Sequence, residues 1–211
     1  MNKMRTRAQV HFPTVLLTLI SIIQALALEL MWSKIVESEW LWKFNMKAVI
    51  GWHMILVASL GIIQVCVMYS TMVMGFIWQP DLKDSIIPFV IGIQEFMLVT
   101  LIGEEFNTLW LYALGSVFIS ANWVSHSSLR RARQNPEKEE FFGKVELATL
   151  RDFCPALTIV TSLVIFGISI DVTQNQTWLP LVVLIVILIF QIVFFGRLWR
   201  SILGLHDEEV V

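Results

Sequence analysis

The chain has 211 residues, of which 56% are apolar and only 15% charged, with a formal net charge of −2. Soluble domains carry roughly 45–50% apolar and about 25% charged residues, whereas here the mean hydropathy is +0.72. These figures exclude a disordered chain, a coiled coil and a nucleic-acid-binding domain, and they point to a protein whose solvent is mostly lipid.

A bilayer core ~30 Å thick needs about 20 mostly apolar helical residues to cross it. Six segments meet or approach that length. The expected fold is therefore all-α, a single polytopic integral membrane bundle of six transmembrane helices. The first span covers about 12–33, with Pro13 near its first turn. Its basic leader (Lys3, Arg5, Arg7) has the charge of a signal-peptide start. The apolar run is longer than the ~7–15 residues of such a segment, however, and Met31-Trp32-Ser33 is a poor cleavage site, so it reads as a retained signal anchor. The second span, about 48–78, is longer than the core demands and is expected to tilt or protrude. The third covers about 86–103 and the fourth about 108–124.

A loop at 125–153 follows. It opens on Arg130, Arg131 and Arg133. Asn135-Pro136-Glu137 then has the pattern of a helix start: an N-cap, a proline at the first position and an acid in the first turn. The helix places Phe141, Phe142, Val145 and Phe153 broadly to one side, so an amphipathic helix along the inner membrane surface is expected. About thirty residues cannot house a catalytic domain. The arginines are placed to meet anionic lipid headgroups or a membrane partner protein, or serve only as a topology signal. The fifth span covers about 156–170 and the sixth about 178–196. The sixth is apolar all round, which suits a helix at the lipid-facing rim.

Orientation follows from the basic residues. With the N-terminus inside, six spans put both termini in the cytoplasm, and twelve of the fifteen Lys and Arg fall on that side. Only Lys34, Lys43 and Lys47 fall outside. The nine tryptophans cluster near span ends, as an aromatic belt does, with Trp110 among those at the outer end. Short loops and a compact chain favour a bacterial inner (plasma) membrane. Asn175-Gln176-Thr177 has the form of a glycosylation sequon but lies too close to the membrane to be a ready acceptor.

Ionisable groups inside lipid are costly, and they usually face a bundle interior or a water-filled path. Glu95 lies mid-way along the third span beside Gln94. Glu29 lies in the outer part of the first span, five residues after Gln24. That spacing separates the pair by ~140° on a helical wheel. In the second span His53, Gln64 and Thr71 fall within about 20° of one another, and in the fourth Tyr112, Gly115, Asn122 and His126 form a similar stripe. Gln191 sits in the sixth. These stripes point to a polar interior built by the first four spans, with Glu95 binding a cation or proton and Gln24, Gln64 and Gln94 as neutral ligands. The competing reading makes Glu95 a hydrogen-bonded tie between helices, held by His53 or a glutamine. Each histidine is better read as structural than as catalytic.

Ile-Gln recurs at 23–24, 63–64 and 93–94, and aligning 16–42 with 86–112 gives five identities. A parallel duplication and chance both account for this. Missing motifs narrow the field: there is no HExxH, no GxSxG, no P-loop, no haem-ligating histidine pair and no Cys/His cluster with zinc spacing. No catalytic residue, metal or cofactor is implied, and an enzyme is the less favoured class. The leading expectation is a small transporter or channel subunit for a cation, proton or small polar solute. The alternative is a non-transporting accessory, sensor or assembly protein acting through the arginine-rich loop. The expected partners are the bilayer, anionic lipid, a second copy or a membrane protein, and not nucleic acid.

Overall fold

The computed structural model describes residues 3–75, 82–133 and 154–202. Among the described residues there are six α-helices and no strand: α1 Lys3–Glu37, α2 Met46–Gly75, α3 Leu82–Thr100, α4 Leu109–Arg133, α5 Cys154–Thr173 and α6 Trp178–Ile202. A 3₁₀ turn, Glu39–Trp42, separates α1 from α2. Three helices hold stretches long and apolar enough to cross a membrane, at His11–Glu37, Met46–Thr71 and Ala156–Thr173. The other three hold shorter apolar stretches, at Ile86–Thr100, Leu109–Val124 and Trp178–Phe194.

The short connections are built alike. In each, an asparagine side chain caps the helix that follows. The Asn45 Oδ1 accepts from the Ala48 N–H at 2.8 Å, Asn107 Oδ1 from the Leu109 N–H at 3.0 Å, and Asn175 Oδ1 from the Trp178 N–H at 3.1 Å. Each satisfies a backbone donor that an apolar helix start would otherwise leave bare. Asn175 therefore has a structural task in its sequon. The connections also meet at one end of the bundle. Lys47 of α2 lies 3.6 Å from Glu104 and 3.8 Å from Glu105, in the turn between α3 and α4. Thr108, at the head of α4, donates to Asp171 near the end of α5 at 3.2 Å.

Around the bundle, α6 packs on α2, α2 on α1, α1 on α3, α3 on α4 and α4 on α5. Although a short turn joins α5 to α6, the two touch little, and a mostly apolar cleft of about 200 Å³ opens between them and α4, lined by Phe118, Phe166 and Phe190 among others. Close approaches are made at glycines. A Cβ on Gly51 would meet the Trp40 ring at 2.5 Å, and one on Gly167 would meet the Tyr112 ring at 2.6 Å. Gly92 lies directly against Ile23. Small residues at helix contacts are the usual means by which membrane helices approach.

The surface is inverted relative to a soluble bundle. Outward positions on α5 and α6 are Leu157, Ile165, Ile168, Val182, Ile189 and Ile192, while the interior holds Gln24, Glu95 and Gln191. Outward hydroxyls turn back on their own helices: Thr18 donates to the Thr14 carbonyl, Ser21 to Leu17 and Ser169 to Ile165. Lipid offers such groups no partner, so satisfaction must be internal.

Several expected boundaries shift. Because α1 begins at Lys3, Pro13 lies inside the helix and not in its first turn. The third helix stops at Thr100, short of Gly103. The fourth runs to Arg133, which places Arg130, Arg131 and Arg133 on its last turn and not in a loop. The sixth continues to Ile202. The amphipathic helix expected after Asn135 and the tail of the second span at 76–78 lie outside the described residues. Trp110 is a further correction, since it is fully buried at the α4 start and belongs to the core, not to an interfacial belt. Trp32, Trp42, Trp123 and Trp178 are exposed, as belt residues are.

Candidate functional site

The most polar point of the interior lies between α1, α2 and α3. Glu95 of α3 is 2% exposed and Gln24 of α1 is 5% exposed. They share a void of about 10 Å³ lined also by Ile20, Ile23, Val65, Tyr69, Pro88 and Ile91. That volume is near the ~10–15 Å³ needed to admit one water molecule. The geometry follows from the parallel packing of α1 on α3, in which Gly92 lets Ile23 approach and so brings Gln24 opposite Glu95. The Gln24 amide nitrogen, however, donates to the Ile62 carbonyl of α2 at 3.2 Å. No hydrogen bond of good geometry reaches either carboxyl oxygen of Glu95, and its polar neighbour is the Gln24 side chain, whose second amide N–H is a weak partner for it. An isolated carboxylate is expensive to remove from water, so this group demands a proton, a cation or a donor. The neighbouring Gln94 is half-buried, and its Oε1 is buried without a partner.

A second polar contact joins α2 to α6. The Gln64 Nε2 donates to the Gln191 carbonyl at 3.1 Å, and the Gln191 Nε2 points back to the Val57 carbonyl at 3.4 Å. Gln191 is 1% exposed. The sixth span is therefore not confined to the rim: one face carries Gln191, Val183, Leu184 and Ile187 into the core, and the other is exposed.

The structure thus separates the residues expected to share one polar interior. Gln64 turns to α6, away from Ile62, Val65 and Tyr69, which lie roughly 100–160° from it around the helix. The ring nitrogen of His53 is 2.8 Å from the Val49 carbonyl of its own helix, and Thr71 donates to the Val67 carbonyl. Asn122 donates to Phe118, again within its own helix. The α4 stripe packs on α5, with Gly167 against Tyr112 and Gly115 near Leu163 and Val160. Glu29 is exposed on the outward side of α1 and shares no cavity with Glu95. Of the residues singled out from the sequence, only Glu95 and Gln24 line one void, with Gln94 adjacent in the chain. Side chains of Arg130, Arg131 and Arg133 lie outside the described ones.

Two contributors escaped the sequence reading. Tyr69 lines the void, and Asp171 links α5 to Thr108. Tyr69 shares the Ile62–Val65 face, whose apolar neighbours mask it. Asp171 falls one residue beyond the expected end of its span. Among the described residues, no group of three His, Cys, Asp or Glu side chains is arranged to hold a metal. Comparison with known protein families, curated proteins and solved structures finds no match to this chain.

Proposed function

We propose that this chain is a six-span integral membrane protein that binds and moves a small cation or proton, with Glu95 as the binding group. Gln24 and Gln94 lie beside the path at similar depth. The observation that carries this reading is an acid 2% exposed, mid-bundle, whose two oxygens make no hydrogen bond of good geometry and have only the Gln24 side chain as a weak partner. A purely structural acid would be expected to make a firmer bond to a neighbouring helix than this one does, as Gln24 and Gln64 do with their amides. The void has about one water's volume, room enough for a bare proton site. The charge bias puts both termini on the cytoplasmic side, and the short loops favour a bacterial inner membrane. The test is ion flux in liposomes holding the purified chain: wild type is expected to carry current that Glu95→Gln abolishes. Equal silence across a panel of ions removes the proposal.

One observation favours the second reading, an accessory or assembly subunit. Glu29 faces outward from a candidate span among the exposed Leu26, Leu28 and Trp32. An acid on a lipid-facing side is costly, and a partner helix with a donor or cation relieves it. In that case Glu29 and the arginines at the end of α4 govern recovery of a defined partner, and Glu95 does not.

A further inference from the structure

We infer that the species bound at Glu95 is a proton, and not a metal cation or a polar solute. This rests on the reading of Glu95 as the binding group and narrows its substrate.

Size is the first argument. The void between α1, α2 and α3 holds about 10 Å³, which excludes a hydrated ion or a solute larger than water. Donor count is the second. Hard cations such as calcium or magnesium take six or more oxygens at roughly 2.0–2.6 Å. Around this void the side-chain oxygens are those of Glu95, Gln24 and Tyr69, and the remaining walls are Ile20, Ile23, Val65, Pro88 and Ile91. The Gln24 amide is already fixed on the Ile62 carbonyl, which limits how far its oxygen can turn.

Charge is the third argument. The groups facing Glu95 across the void are Gln24 on α1 and Tyr69 on α2, and among the described lining residues Glu95 is the only acid. One carboxylate neutralises one positive charge. The step is a simple addition, in which a proton joins one Glu95 oxygen to give the neutral acid and leaves again when the site opens to the other side. The electron count does not change, and no co-reactant is required. A neutral carboxyl sits between apolar walls at far lower cost than a carboxylate does.

The test uses the full chain in liposomes with a trapped pH indicator, driven by a potassium diffusion potential, with sodium, potassium and lithium fluxes measured in parallel. Wild type is expected to move protons and none of the three metal ions. Glu95→Gln, checked for monodispersity in detergent, is expected to fall to the rate of empty liposomes. Glu95-dependent flux of a metal ion overturns the proton assignment while leaving Glu95 as the binding group. Flux that survives Glu95→Gln, or no flux of any ion, overturns the binding-group reading itself.

Discussion

Gln24 and Glu95 face one water-sized void, yet the well-formed hydrogen bond of the Gln24 amide goes to the Ile62 carbonyl of α2, and the carboxyl keeps only a weak share of that side chain. The tie between α1 and α2 is therefore made by the amide, and the acid contributes no bond to it. Replacing an unpaired buried polar group by an apolar one of similar shape is close to neutral or stabilising. Glu95→Leu should leave the thermal midpoint in detergent unchanged or higher while transport is lost. Gln24→Leu removes a real interhelical bond and should cost on the order of 0.6 kcal/mol. A large drop in the midpoint for Glu95→Leu would mean that the acid holds the helices together.

The two in-span acids of the sequence reading part company in the fold. Glu29 is exposed on α1 and Glu95 is buried on α3. Glu29→Gln should leave flux at the wild-type rate, measured in the same liposomes as Glu95→Gln. Equal loss in both variants would require the acids to act on one path, contrary to their separation here.

Gly167 carries the α4–α5 contact because the Tyr112 ring occupies the space of a side chain, with its hydroxyl oxygen 2.8 Å from where a Cβ would stand. An aromatic ring packed in place cannot yield like the tip of a flexible chain. Gly167→Ala should destabilise by about 1–3 kcal/mol, as overpacking does. Adding Tyr112→Leu should recover much of that loss in a thermal melt. No recovery would place the strain elsewhere.

Asn175 caps α6 through the N–H groups of Thr177, Trp178 and Leu179. Asn175→Ala should cost about 1 kcal/mol, and Asn175→Asp should be well tolerated because aspartate caps comparably. Hydrogen exchange in the first turn of α6 reads this directly: faster exchange is expected in the alanine variant only. The same comparison at Asn45 and Asn107 tests whether the three connections share one design.

Preference for lipid, helix content and the approximate segment positions were legible from the residues alone, because burial in a bilayer is decided by the length and apolarity of a contiguous stretch. The three stretches long enough to cross lie where the first, second and fifth spans were expected. The ~140° between Gln24 and Glu29 likewise puts them on different faces whatever surrounds the helix, but both were expected on one path, and only the fold shows Gln24 buried and Glu29 exposed. A wheel does not say which neighbour a face meets. The second-span stripe of His53, Gln64 and Thr71 looked like the wall of a common interior, yet Gln64 meets α6, while the quieter Ile62–Val65–Tyr69 face meets α1 and α3. Trp110 had the position of a belt residue and is fully buried in the core. Helix partnership depends on side-chain fit between segments distant in the chain, such as Gly92 against Ile23 and Gly167 against Tyr112. The excess of apolar residues told of a lipid environment. Only the packing singled out Glu95, among the described acids, as the one buried in the core with no hydrogen bond of good geometry.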